Sequence, residues 1–231
     1  MPELVTYQIA DNFYSIEQGF VRSFLIVGER EALLIDTGVG NQKLKEYIET
    51  ITRLPITVVF THADGDHVGG ADQFERRFMH PSEFDYYASK KTNQLPMEAI
   101  WEGDIIDLGN YRFEIILIPG HTPGSIALLE RGKRFLIGGD SIQTGNIFMF
   151  GNGRNFEAYG ASMKKLQGIL HDFEIVYSSH HQLAVNVDIV NLLSAAADKM
   201  MNGMVEGVPV ELGFDVPVKS YETDGVAFFA F

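Results

Sequence analysis

His62-Ala63-Asp64-Gly65-Asp66-His67 follows an apolar run, Ile56-Thr57-Val58-Val59-Phe60, and is itself followed by Gly69-Gly70. Two imidazoles and two carboxylates thus leave the end of a buried-strand pattern almost at once. Packed that tightly, the carboxylates repel each other when ionised, and every charged group loses hydration if covered. A divalent cation relieves both problems, so the segment reads as a metal site. The plainer reading is a polar strand-to-helix loop rich in Asp and Gly.

Three further segments weigh against the plainer reading. His121 sits in Ile118-Pro119-Gly120-His121-Thr122-Pro123-Gly124-Ser125, after the strand-like run Phe113 to Ile118. Asp140 sits in Ile137-Gly138-Gly139-Asp140-Ser141, after Arg134 to Ile137. His180 follows Ile175-Val176-Tyr177-Ser178-Ser179. Each lies past the C-terminal end of an apolar run, where α/β sheets generally place their sites.

This constellation resembles the metallo-β-lactamase superfamily of metallohydrolases, over nearly the whole chain through His180. The family pattern is His-x-His-x-Asp-His, then a His, a bridging Asp and a final His. The resemblance extends to Leu34-Ile35-Asp36-Thr37-Gly38, Thr61-His62, Pro119-Gly120-His121-Thr122-Pro123-Gly124 and Gly138-Gly139-Asp140. It implies two divalent metal ions, zinc by first expectation and iron or manganese as alternatives. The first would be held by His62, Asp64 and His121, the second by Asp66, His67 and His180, with Asp140 between them. It also implies a four-layer αβ/βα sandwich with helices outside two facing sheets; periodicity alone gives only α/β.

Position 64 departs from the family, which usually has His there. Three readings stand. Asp64 is a ligand, and its hard anionic oxygen leans the site toward iron or manganese. It is too short to reach, and only the second site fills. Or the site has lost its catalysis. Flavodiiron proteins, similar in fold, carry Glu at this position, one methylene longer.

A chain of 231 residues suits one good-sized core, so a single domain spanning residues 1–231 is expected. The 18 Lys and Arg against 31 Asp and Glu give a net charge of −13. That balance argues against general binding to nucleic acid or anionic membranes. The adjacent basic pairs Arg76-Arg77, Lys90-Lys91, Lys133-Arg134 and Lys164-Lys165 read as solvated charge. With no cysteine, disulfides, thiolate metal sites and a Cys nucleophile are excluded. Met1-Pro2-Glu3-Leu4 lacks a signal-peptide pattern, and no apolar run approaches a bilayer span. A cytoplasmic enzyme with a small-molecule substrate is the expectation, and an exported β-lactamase is not. Oligomeric state is not readable from the sequence.

The expected strands are Val5 to Ile9, Asn12 to Ile16, Ser23 to Val27, Ala32 to Ile35, Ile56 to Phe60, Arg112 to Ile118, Ser125 to Glu130, Arg134 to Ile137 and Glu174 to Tyr177. Helices are expected over Asn41 to Arg53 with Asn41 as N-cap, through Phe74, over Ser82 to Ser89, Tyr159 to Leu170 and Asp188 to Met201. The tail, Gly207 to Phe231, reads as a closing strand pair, with Val226 to Phe231 alternatively a dimer contact.

The function so implied is metal-dependent hydrolysis of a small ester, thioester, lactone or phosphoester by a metal-bound hydroxide. Asp66 would orient the nucleophile or accept its proton while binding metal. The alternatives are a non-haem diiron redox protein, flavodiiron-like, reducing oxygen or nitric oxide, and a metal-binding module without catalysis. Asp36 is the candidate for orienting a ligand imidazole, or else a turn residue. His181 competes with its neighbour His180, whereas His80 and His171 read as ordinary residues. The aromatic segments 84–101 and 147–159 would cover an apolar substrate group or pack the domain. Arg22 and Arg154 would bind a substrate anion or remain solvated.

Overall fold

The computed structural model describes residues 3–40, 42–90, 96–213 and 216–231. They fall into two compact units, Met1–Ile116 and Leu117–Phe231.

The first unit is built on a seven-stranded sheet in sequence order: β1 (Val5–Ala10), β2 (Phe13–Glu17), β3 (Arg22–Val27), β4 (Ala32–Ile35), β5 (Ile56–Val59), β6 (Arg76–Met79) and β7 (Glu98–Ala99). β1 to β4 form an antiparallel meander, and β4 to β7 run parallel. β4 is buried along its whole length and β5 along most of it, the continuous apolar pattern of a strand covered on both faces. Leu34, Val58, Phe60 and Met79 join Leu44, Ile48, Val68, Phe74 and Tyr87 in one core cluster. Because β4 and β5 are parallel neighbours, the residues just after them leave the sheet side by side, and Asp36 N–H donates to the Val59 carbonyl at 3.0 Å. Short helices follow β4, β5 and β6 in turn: α1 (Leu44–Ile48), α2 (Gly65–Val68) and α3 (Phe84–Lys90). An antiparallel hairpin, β8 (Ile105–Asp107) with β9 (Arg112–Leu117), begins after β7.

In the second unit, β10 (Ile126–Glu130) pairs antiparallel with β11 (Phe135–Ile137). β11 lies parallel to β13 (Ile175–Tyr177), which pairs antiparallel with β14 (Ala184–Asn186). A separate four-stranded sheet is ordered β12 (Asn146–Phe148), β17 (Val226–Ala230), β16 (Val218–Thr223), β15 (Val208–Val210), with β12 and β17 parallel. α4 (Phe156–Gln167) is capped by Asn155, whose side chain accepts from Ala158 N–H at 2.8 Å. It packs on α5 (Ile189–Met201), where a Cβ on Gly160 would meet Met201 at 3.2 Å.

Several expectations are corrected. The helix from Asn41 contracts to α1; Asn41 itself lies outside the described residues. After Ile48 three-residue bonds enter, Thr50 N–H to Tyr47 O and Ile51 N–H to Ile48 O, beside one last four-residue bond from Thr52 N–H to Ile48 O, and the Thr50 hydroxyl donates to the Tyr47 carbonyl as well. The β-branched run Thr50-Ile51-Thr52 disfavours continuing. The helix expected through Phe74 splits into α2 and a 3-10 turn, Ala71–Gln73. β6, β7, β8, β12 and β14 are strands too short to show a period. The pair Arg76-Arg77 is not wholly solvated: Arg77 is fully buried and donates to the carbonyls of Ala71 and Pro96 at 3.3 and 3.1 Å. Lys91 of the next pair lies outside the described residues. The tail holds three strands, and Phe228 is wholly buried between Phe156 and Tyr159 at 5.3 and 5.6 Å between ring centroids.

Candidate metal centre

In the first unit, β5 delivers Thr61 and His62 at its end, and α2 begins directly afterwards with Asp64 at its N-cap. His67 and Val68 N–H both donate to the Asp64 carbonyl, at 2.9 and 3.1 Å. This tight turn brings the His62 and His67 rings to 4.0 Å between centroids. His62 Nε2 is 3.4 Å from Asp64 Oδ2, and His67 Nε2 is 3.8 Å from Asp66 Oδ2. The far end of α2 is fixed by the Asp36-Thr37-Gly38 turn: Thr37 N–H and hydroxyl both donate to the His67 carbonyl, at 2.7 and 2.9 Å. The approach is so close that a Cβ on Gly69 would stand 2.2 Å from the Val39 carbonyl carbon, which requires glycine.

Asp36 is the hub of this half. Its Oδ1 accepts from Thr61 N–H at 2.8 Å, and its Oδ2 takes the Thr61 hydroxyl at 2.7 Å and His67 Nδ1 at 2.8 Å. A carboxylate on Nδ1 fixes the tautomer that leaves Nε2 with a lone pair for a metal. Asp36 holds this place at φ +61°, in the left-handed region that Asp tolerates better than most side chains. It is therefore both the turn residue and the orienting group.

In the second unit, His121, Asp140 and His180 come together. Asp140 Oδ1 is 3.2 Å from His180 Nε2, and Oδ2 is 3.8 Å from His121 Nε2. His121 Nδ1 bonds the Phe148 carbonyl on β12 at 2.9 Å, again aiming Nε2 the other way. Its loop rests on the start of α4: Asn155 N–H donates to the Gly120 carbonyl at 2.9 Å, and Gly120 has φ +140°. The Tyr159 hydroxyl donates to the Ser141 carbonyl at 2.8 Å, bracing the residue after Asp140. Burial holds that phenol well above its usual pKa and so keeps the donor protonated.

These spacings suit shared cations. Two donors bound about 2.1 Å from one ion at the tetrahedral angle lie about 3.4 Å apart, and wider angles stretch that further. Each half contains imidazole–carboxylate pairs at 3.2 to 3.8 Å. Imidazole nitrogens and carboxylate oxygens without thiolates suit zinc, iron or manganese.

The other candidates fall elsewhere. His181 takes φ +53° and packs its ring over Gly145, where a Cβ would come within 2.0 Å of Nε2; His180 is the one beside Asp140. Arg22 is buried and paired with Glu17 at 2.9 Å, a structural role in place of the anion-binding one. Arg154 donates to the Asn152 carbonyl at 3.4 Å. His171 is exposed, and His80 accepts from Ser82 N–H as a cap. In the aromatic segments, Tyr87, Ile147, Met149 and Tyr159 are buried packing, while Trp101 is exposed and lies edge-on to His80. Sequence reasoning put Tyr86 in an aromatic cover and Lys90 in solvated charge and missed that both, on α3, reach Asp64, at 2.8 and 3.5 Å. The signal was present: an unusual carboxylate at 64 calls for a donor, and these two share a helix face at i, i+4.

The model of the metallo-beta-lactamase superfamily matches residues 16–183. The chain belongs to this superfamily. Membership places it among metal-dependent, metal-binding hydrolases, with the sandwich fold expected from its motifs. The metallo-beta-lactamase from Pontibacter korlensis superposes with a TM-score of 0.72, at 16% identity, over 85% of this chain and 99% of that one. The human acyl-coenzyme A thioesterase MBLAC2 is 26% identical over 60% of this chain, which spans 66% of that protein's length. The probable metallo-hydrolase YqgX of Bacillus subtilis is 23% identical over 68% of this chain and 80% of its own. A hydroxyacylglutathione hydrolase of Bdellovibrio bacteriovorus is 29% identical over 65% of this chain and 59% of its own. No helix among the described residues is long and apolar enough to cross a membrane.

Proposed function

We propose that the protein hydrolyses a small-molecule ester, lactone or phosphoester or, by first preference, a thioester, using two divalent metal ions. His62, Asp64 and His121 would hold the first, and Asp66, His67 and His180 the second, with Asp140 serving both. The observation that carries this reading is the pairing of imidazole and carboxylate at metal-sharing distances, with Asp36 fixing the tautomer of His67. The thioester preference is supported by the relative named as an acyl-coenzyme A thioesterase. The same proposal takes residues 1–231 as one catalytic domain, cytoplasmic in setting.

Bound metals supply a lowered pKa for attached water and polarise a substrate carbonyl or phosphoryl oxygen. The chain's own part is positioning. Asp66, whose side chain remains partly open to solvent, accepts the attacking water's proton at a carboxylate oxygen and orients that water. Asp36 and the Phe148 carbonyl keep His67 and His121 from swinging or changing tautomer.

The test is elemental analysis of protein purified without chelator, followed by turnover of short acyl-thioesters, aryl esters, lactones and phosphodiesters. Two metal atoms per chain, with hydrolysis that is lost on stripping and in Asp66→Asn, is the expected result. Metal bound without hydrolysis of any of the four classes refutes the catalytic reading. The diiron redox reading keeps one specific support, the hard Asp64 oxygen presented beside His62. Two iron atoms, with oxygen or nitric oxide consumed under a reductase and no hydrolysis, would establish it instead.

A further inference from the structure

Replacing a neutral imidazole by a carboxylate at position 64 changes two things at once. It adds a negative charge, and it offers two donor oxygens where an imidazole aims one nitrogen. The two oxygens of Asp64 have different surroundings. Oδ2 lies 3.4 Å from His62 Nε2. Oδ1 accepts the Tyr86 hydroxyl at 2.8 Å and lies 3.5 Å from Lys90 Nζ. The lysine in turn donates to the Ala63 carbonyl at 2.9 Å and sits 3.7 Å from the centre of the Tyr86 ring, a cation–π contact. Glu83 Oε2 accepts Ala63 N–H at 2.8 Å. Glu83, Tyr86 and Lys90 stand at i, i+3 and i+7, so one face of α3 and the turn before it grips residues 63 and 64.

From this we infer that Tyr86, seated by Lys90, is a positioning residue that makes Asp64 a one-oxygen metal ligand, so that a carboxylate does the work of an imidazole at the first metal site. The inference rests on the metal-centre reading proposed above. The phenol occupies Oδ1 and turns Oδ2 toward the metal side, and the ammonium offsets the charge that the carboxylate adds. The pair compensates for both consequences of the exchange.

The test is zinc affinity, by competition with a chromophoric chelator, on stripped and reloaded protein. The forms compared are the parent, Tyr86→Phe, Asp64→His and the double variant Asp64→His/Tyr86→Phe. Tyr86→Phe in the parent should weaken one of the two zinc affinities by about 10–100-fold, the usual effect of removing a group that orients a ligand, and leave the other in place. In the Asp64→His background the same change should cost less than about threefold, because an imidazole has no second oxygen to restrain. Equal weakening in both backgrounds would make Tyr86 merely structural and overturn the inference. So would unchanged affinities in a parent that binds two zinc ions. A parent that binds no zinc, iron or manganese overturns the metal-centre reading, and this inference falls with it.

Discussion

Asp36→Asn is nearly isosteric, yet it strikes the orientation of His67 at its origin. In the parent, Oδ1 takes Thr61 N–H, and Oδ2 takes both the Thr61 hydroxyl and His67 Nδ1–H. An asparagine that keeps its oxygen on Thr61 N–H must put its NH2 where Oδ2 was. That NH2 then faces Nδ1–H, donor against donor. The conflict is relieved if the His67 proton moves to Nε2, the atom that would otherwise bind metal. The bond lost is a buried hydrogen bond to a charged group, about 1.5–3 kcal/mol. At 1.4 kcal/mol per factor of ten, this is about a 10–150-fold loss of affinity at the site holding His67. The assay is zinc competition, with circular dichroism confirming an unchanged fold. Two zinc affinities within about threefold of the parent, in a folded Asp36→Asn protein, would show that His67 is not oriented through Nδ1.

Other perturbations probe the scaffold. Gly120→Ala would place a Cβ 2.4 Å from the Tyr159 Cα at φ +140°, so urea unfolding should show a loss of about 2 kcal/mol or more, and a neutral result would contradict the packing of the His121 loop on α4. Phe228→Ala should cost about 3–5 kcal/mol by the same measurement, because a fully buried ring with two edge-on aromatic partners is removed. Burial lowers the His80 imidazole below its ordinary 6.5, against the opposing pull of Glu83 and Glu102. The unfolded chain therefore binds more protons below that value, and stability should fall as pH drops through about 6.5. His80→Asn keeps an acceptor for Ser82 N–H and should flatten part of that fall; an unaltered pH profile of the urea midpoint would refute the assignment.

The segments that carry the candidate residues were legible because His62, His121, Asp140 and His180 each stand shortly beyond an apolar run. Strands such as β4 and β5, buried on both faces, must be written as continuous hydrophobic sequence, and their C-terminal ends are thereby marked. Asp36 was visible for the same reason. What stayed hidden depends on contacts between distant residues. Nothing local in Arg76-Arg77 says that the second guanidinium will find two carbonyls inside the core. The three-residue strands β12 and β14 are too short for periodicity and exist because partners are supplied from elsewhere in the unit. The hold of Tyr86 on Asp64 spans 22 residues, and only the oddity of a carboxylate at that position hinted at it.

The pairing of β12 with β17 also has a consequence for biosynthesis. Asn146 is matched with Ala227, 81 residues later (227 − 146). At about 5–20 residues per second, a ribosome needs roughly 4–16 s to make that interval. Throughout it, β12 has no parallel neighbour, and the carbonyl of Phe148 that takes His121 Nδ1 sits on an unanchored strand. His121 is translated midway through the chain, yet the strand that carries its Phe148 partner gains a parallel neighbour only when β17 is made. A nascent chain paused before Val226 would hold the His62 to His67 turn on a finished sheet while the strand beside His121 still lacked its parallel partner.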